Sequence, residues 1–436
     1  MNRIIVTGNG FDKAHGMATS YRDFIDNYWN KVAEQIFSKY KRVISEEYNL
    51  LVRLDTYEDL FIKAHASPSE QKDGQIELLC SKEDAYSVLR RFIVQYNRCN
   101  MYGDTFHLIF KNKFFKHISE QCSLVNWVDV ENEYYEQLKE LLNEKNPIVR
   151  NEKAKELNRE FDAVKKLLEN YLTQIVHDAE IENHSSIRDA FFCPIEPTEI
   201  AYGKQPAFFD SISEQMYETG DYDGFLYDRE HAPEYTLFRS GEEMLQHYVR
   251  KQLKNDKFKK EYCTPHYTLI LNFNYTRTAE KFYPDSERAC QVIHIHGELN
   301  SNDNPIIFGY GDELDDAYKS IEKLQDNDFL ENIKSIRYHE TENYRRLLNF
   351  IESEPYQVLV MGHSCGNSDR TLLNTLFEHR NCISIKVYYH QREDGTDNYS
   401  DLIRNLSRNF NDKAAMRDTI VNKKMCSPLV PVIRNR

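Results

Sequence analysis

Glycine is scarce in this chain, 15 in 436 residues, and its placement limits how the chain can fold. Eight of them (Gly8, Gly10, Gly16, Gly297, Gly309, Gly311, Gly362 and Gly366) stand at or just past the ends of short apolar runs. The first run, Ile4-Ile5-Val6-Thr7, meets Gly8-Asn9-Gly10-Phe11-Asp12 and then a helical pattern. Runs at 268–273, 292–295, 305–308, 357–361 and 383–389 are likewise short, apolar and bounded by turn residues, and read as strands. Helical spacing at 369–379 lies between the last two. That is a strand–helix–strand unit, which implies parallel pairing. In an open parallel sheet, glycine-rich turns gather beyond the carboxyl ends of the strands, where ligands bind.

The long segment between the first run and the later ones looks mostly helical as far as about 182. Tyr21, Phe24, Ile25, Tyr28, Trp29, Val32 and Ile36 recur at three- and four-residue spacing, as do Leu157, Phe161, Val164, Leu168, Tyr171 and Leu172. Further helices are expected at 85–96, 127–142 and 241–256. Residues 183–240 hold Pro194, Pro197, Pro206 and Pro233 without clear period and read as long loops with short elements, a candidate lid. The fold expected is α/β, a Rossmann-like parallel sheet built from both chain ends. Residues 1–20 and 262–436 form a discontinuous nucleotide-binding domain, and 21–261 a helical insertion.

Composition excludes several classes. A net charge of −14 disfavours a nucleic-acid surface, which needs a basic face, but leaves room for an anion bound locally by loop amides. No run of eighteen apolar residues predicts a membrane span, and no signal peptide is visible, so a cytoplasmic protein is expected. The nine cysteines are scattered without a C-x-x-C pair, which argues against a disulfide framework and a structural zinc site. No metal is expected.

Three tips carry candidate chemistry. Gly8-Asn9-Gly10-Phe11-Asp12, followed by Gly16, Ser20 and Tyr21, could cradle a phosphate at a helix start. Its glycine spacing departs from the dinucleotide fingerprint, and an ordinary glycine-rich turn is the plainer reading. The second tip pairs Asn274, after one strand, with His296-Gly297, after the next. An amide that holds a ribose hydroxyl or water, beside a histidine acting as base, suits cleavage at an anomeric carbon. His294 reads as a core histidine and Asn272 as a turn residue. The third tip, Gly362-His363-Ser364-Cys365-Gly366, leads to Ser368 and Asp369. Either of these could cap the following helix, or the tip could touch a nucleotide. Its G-x-S-x-G spacing also admits a hydrolase using Ser364. Asp129, Glu131 and Glu133 fit a helix start, with a metal pair as the alternative.

Taken together, the GNGFD…HG…TSY…DF string, Trp127-x-Asp129-x-Glu131, Phe273-Asn274-Tyr275-Thr276, His296-Gly297 and Gly362-His363-Ser364 resemble the AbiH family of abortive-infection proteins along nearly the whole chain. Ala18 stands where that pattern has proline. More distantly, the pattern is similar to sirtuin-like NAD-binding domains. That resemblance implies that Gly8-Asn9-Gly10 and Gly362-His363-Ser364 contact NAD, that Asn274 lies near the nicotinamide ribose, and that His296 is the catalytic histidine. Thr276 replaces an aspartate of that pattern, and its zinc-ribbon cysteines are absent. The implied activity is NAD⁺ hydrolysis, the reaction of an NAD⁺ nucleosidase, rather than protein deacylation. Depletion of NAD⁺ on infection would require a silent resting state, so control by homo-oligomerisation or a partner is expected. A nucleotide-binding sensor without catalysis is the alternative, and the Ser364 hydrolase a third.

Overall fold

Ile4, Ile5 and Val6 are all fully buried, because the strand they form lies inside a sheet covered on both faces. The computed structural model describes residues 1–45, 57–68, 84–99, 104–125, 129–179, 184–220, 223–254, 260–282 and 290–432. Its strands, in chain order, are β1 (Asn2–Thr7), β2 (Tyr57–Glu58), β3 (Ile62–Pro68), β4 (Asp104–Phe110), β5 (Thr268–Asn272), β6 (Cys290–His294), β7 (Tyr356–Met361), β8 (Cys382–Tyr389) and β9 (Ser427–Pro428). Six of them form one parallel sheet in the order β6-β5-β1-β7-β8-β9. Counted by succession within that sheet the order is 3-2-1-4-5-6, so the winding reverses between β1 and β7. Such a reversal opens a crevice at the carboxyl edge.

Register places the site. Thr7 is level with Asn272 on one side and Met361 on the other, and Asn272 is level with His294. Four strands therefore end flush, and the turns that follow them meet. Residue alternation builds the two faces. Ile4, Val6, Leu269, Leu271, Val358 and Val360 pack on helices Asn343–Ser353, Arg370–Phe377 and Tyr399–Asn409. Ile5, Ile270, Leu359 and Met361 pack against Phe11, Ile187, Phe191 and Ala279.

Helices at Tyr21–Ser45, Ala85–Cys99, Val130–Glu140, Pro147–Asp178 and Gly241–Lys254 match the periodic segments. Trp127 and Val128 lie outside the described residues, as does Cys80. Two expectations are corrected, for residues 183–240 and 305–308. Besides its helices, the insertion holds an antiparallel sheet of β2, β3 and β4, which the sequence reading did not place. Its signal is the two-residue alternation around Phe106, which is buried, and Ile109, which is 48% exposed. Residues 183–240 are not mainly loop; helices Ser185–Phe192, Gln205–Thr219 and Asp223–His231 occupy them. Pro206 lies in the first turn of the second of these, where a missing N–H costs nothing, so proline marked a helix start. Residues 305–308 form no strand. Ile306 and Phe308 instead enter the core of the insertion with Trp29, Tyr134 and Phe161. No helix of the described residues is long and apolar enough to cross a membrane.

Candidate functional site

The turn after β1 leads into helix Asn9–Ala14. Its glycines serve contact between loops. The Gly10 N–H donates to the Gly362 carbonyl at 2.8 Å and the Phe11 N–H to Gly8 at 2.8 Å. A Cβ on Gly8 would lie 2.7 Å from the His363 ring. Two amides expected to cradle a phosphate are thus engaged within the protein. Phe11 packs in the core, and the exposed Asn9 accepts from the Thr19 hydroxyl at 2.7 Å. Gly16 takes φ +84° in the following turn. Ser20 starts helix Tyr21–Ser45, its amide donating to Asp23 at 3.0 Å.

Asp12 is buried. One carboxylate oxygen accepts the Thr276 hydroxyl at 2.6 Å, and the other has no hydrogen-bond partner. Burial pushes its carboxyl up to about 6, against the Thr276 bond. The folded protein therefore keeps this proton longer than the unfolded chain does. The associated stability is complete below pH 3.8 and is lost as pH rises through about 6. Asp12→Asn, which cannot ionise, is expected to gain on the wild type by about 2–3 kcal/mol between pH 4 and pH 8. Denaturant unfolding at the two pH values checks this, and an unchanged difference would refute it.

Asn272 organises the next tip. Its Oδ1 accepts from the Thr7 hydroxyl at 2.9 Å and the Asn274 amide at 3.0 Å, while its Nδ2 donates to the Thr276 carbonyl at 2.9 Å. Asn274 Nδ2 donates to the Gly8 carbonyl at 2.9 Å, joining the first and second tips. Asn272 Nδ2 also faces His294 Nδ1 at 3.2 Å, so that nitrogen accepts and the His294 proton sits on Nε2, toward Glu280. Glu280, His294 and Glu298 lie close enough to hold a metal ion. However, that ring nitrogen is protonated, and Glu298 is already engaged by Arg277 at 2.6 Å and Asn304 at 3.1 Å. These residues do not fit a metal.

His296 lies at the centre. Gly297, at φ +82°, lets the chain turn immediately after it. His296 Nε2 is 3.1 Å from Asp369 Oδ1 and 3.2 Å from the Tyr338 hydroxyl. Burial, and then the nearby Lys334 charge, push the imidazole down to about 4, so it is neutral at physiological pH. Burial alone would raise the Asp369 carboxyl, but Lys334 and His296 outweigh it and hold Asp369 well below the usual carboxylate range. An ionised Asp369 only accepts, so Nε2 carries the His296 proton and Nδ1 is the basic nitrogen. No described hydrogen bond uses Nδ1.

Asp369 stands at a helix start, yet its side chain makes no capping bond. That expectation is corrected: the carboxylate turns to His296 and to Lys334, 2.8 Å away. Lys334 also pairs with Glu131 at 2.9 Å. The three acids of 129–133 go separate ways. Asp129 caps its helix through the Asn132 amide at 3.1 Å, as a helix start predicts, and Glu133 pairs with His117 at 2.6 Å. Asp129 and Glu133, the candidate metal pair, are thus engaged by different partners, and Glu131 turns inward. Burial raises the Glu131 carboxyl, with Lys334 opposing. Tyr21, Tyr275 and Tyr338 face the same carboxylates; burial first, then those charges, hold their hydroxyls well above the ordinary tyrosine range.

His363 packs its ring on Phe273 at 4.3 Å, accepts the Cys365 amide at 3.0 Å and lies 3.5 Å from Asp369 Oδ2. Ser364 is exposed, and among the described residues no histidine bonds its hydroxyl. The left-handed residues of this turn are Gly362, at φ +76°, and Cys365, at φ +53°, rather than the serine that a nucleophile elbow requires. The Ser364 hydrolase therefore lacks its base and its backbone.

The three tips converge, as expected, but they do not line the open cleft expected with them. The centre they enclose is closed: Asn274 is 9% exposed and His296 4%, with the half-buried Tyr21 and Tyr275 outermost. A surface groove lined by Asn2, Tyr267, Gln291, Arg346 and Phe350 lies at the opposite, amino-terminal edge of the sheet. Lys334 and Tyr338 were invisible to sequence reasoning because neither stands in a recognisable motif. The family model described as Bacteriophage abortive infection AbiH matches residues 4–390. No curated protein matches the chain, and no solved structure does.

Proposed function

The chain belongs to the bacteriophage abortive infection AbiH family, and from that premise we propose that it acts by cleaving the nicotinamide–ribose bond of NAD⁺ at the closed centre. Abortive infection of phage is the family's role; the chemistry is our reading. One observation carries it. An Asp369–His296 pair with a free Nδ1 stands at the carboxyl edge of a 3-2-1-4-5-6 sheet, beside the joined Gly8 and Asn274 tips. That arrangement supports a Rossmann-like, sirtuin-like reading of the nucleotide-binding part.

In this mechanism Asp369 orients His296 through Nε2–H, as the acid of a catalytic triad orients its histidine. Water attacks the anomeric carbon as neutral nicotinamide leaves with the electrons of the broken bond. His296 Nδ1 takes the proton released by the water. Asn274 Oδ1, used by no described hydrogen bond, accepts from the water or a ribose hydroxyl. The Asp369 carboxylate favours the positive charge that builds on the sugar. No metal is needed. Admission of a dinucleotide requires opening near Tyr21 and Tyr275 and release of the Gly10–Gly362 bond. A centre that must open suits an enzyme kept silent until infection and released by a partner or by oligomerisation.

Purified protein incubated with NAD⁺, with and without lysate of phage-infected cells, is expected to release nicotinamide. His296→Ala and Asp369→Asn, shown to be folded, are expected to lose at least about 10²-fold of that rate. Undiminished release in both would refute the assignment. The weak basicity of buried His296 favours one second reading, a nucleotide sensor. In that case NAD⁺ would raise the thermal midpoint with no nicotinamide released under any condition.

A further inference from the structure

Beside Asp369 the proposed reaction leaves two buried charged residues unused, Lys334 and Glu131. Lys334 is fully buried, and its ammonium lies between Asp369 Oδ1 at 2.8 Å and Glu131 Oε2 at 2.9 Å. That same Asp369 oxygen faces His296 Nε2 at 3.1 Å. Glu131 belongs to helix Val130–Glu140 of the inserted segment, and its other oxygen accepts the Gly309 amide at 3.1 Å. The groups facing this cluster from the surrounding elements are Asp129, His363, Tyr21, Tyr275 and Tyr338. Among these described groups Lys334 is the one permanent cation, while His296 and His363 add contacts to Asp369.

We propose that Lys334 and Glu131 are a positioning pair: Lys334 draws the Asp369 charge away from His296, Glu131 anchors Lys334, and the inserted helix thereby governs the proton on His296. This rests on His296 being the base of the reaction. An unshared Asp369 carboxylate would favour imidazolium at His296, and imidazolium has no lone pair with which to accept a proton. Burial first, and then Lys334, keep the imidazole neutral, with its proton on Nε2 and Nδ1 free. Helix Val130–Glu140 supplies one of the two ligands of the Lys334 ammonium, so moving that helix changes the charge balance at Asp369. The inserted segment is then the part of the molecule through which a signal reaches the centre.

Histidine-selective ¹⁵N and ¹³C NMR on the full chain tests this, with the His296 signals identified by their loss in His296→Gln. Wild-type His296 is expected to be neutral with its proton on Nε2 from about pH 8 to pH 5. The double variant Glu131→Gln/Lys334→Gln keeps net charge and hydrogen-bonding side chains but removes the shared cation. In it, the His296 titration is expected to move upward by about 1–2 pH units. An unmoved titration in the folded double variant overturns the proposal. Lys334→Arg keeps the charge and is expected to retain the wild-type tautomer and titration; a shift there overturns it too, and remains measurable if the double variant does not fold. Absence of NAD⁺ cleavage under every condition would sink the proposed reaction while leaving the His296 spectra as they are, so the two failures are distinguishable.

Discussion

Replacing Lys334 with methionine is expected to lower folding stability by about 3–5 kcal/mol at pH 8, the usual penalty for removing one partner of a buried ion cluster. The side chain is inaccessible to solvent, and two carboxylates lie within hydrogen-bonding distance of its ammonium. Methionine matches the length of the stem but offers nothing to Glu131 or Asp369. Two carboxylates are then left together in the interior, where neither is hydrated, and one must take up a proton. Burial already pushes Glu131 upward, so it is the one expected to do so. The deficit should therefore shrink as pH falls, because protons relieve what the lysine no longer does. The double variant Glu131→Gln/Lys334→Gln removes both charges and is expected to cost less than Lys334→Met alone. Denaturant midpoints at pH 8 and pH 5.5 check all three statements. A loss under about 1 kcal/mol at pH 8 would show that Lys334 does not hold the cluster together.

Gly362→Ala is the second large effect. Gly362 adopts φ +76°, and a Cβ there would lie 2.0 Å from the Phe11 amide nitrogen and 2.5 Å from the Gly10 carbonyl carbon. Those atoms are backbone of the turn after β1, so no side chain can swing aside. Relief would require breaking the Gly10–Gly362 hydrogen bond and parting the two tips at the switch point. The expected loss is about 3 kcal/mol or more, with the site displaced. Gly220→Ala supplies the control. Gly220 has a similar φ of +69°, but its Cβ would meet open space. Only the left-handed backbone is penalised there, by about 1–2 kcal/mol. The difference between the two variants isolates the contact between tips. Equal thermal midpoints would mean the tips are not in contact.

These two residues differ in how far the sequence revealed them. Gly362 follows an apolar run and precedes small polar residues, a local pattern that identifies a strand end. The runs of β1, β5, β7 and β8 and the long helices of the insertion were legible for the same reason, since local spacing selects them. Asn274 and His296 were legible as strand-tip residues. Asp369 was read as a helix cap or as a nucleotide contact; the cap is not formed, because its carboxylate is drawn to a histidine and a lysine from other elements. Lys334 gave no signal, lying between Ile333 and Ser335 outside any motif. Its partners Glu131 and Asp369 are 203 and 35 residues away along the chain.

The amino-acid order by itself determined which segments become strands and helices, that the strands pair in parallel, and that glycine turns gather at one edge. Burial and backbone geometry act over a few neighbouring residues, so these choices are written locally. Only the tertiary structure decided that the edge is closed, that His296 meets Asp369 through Nε2, and that a helix from the insertion reaches that histidine through Glu131, Lys334 and Asp369. The ionisation of a buried group depends on every charge near it in space, and those charges come from distant parts of the chain.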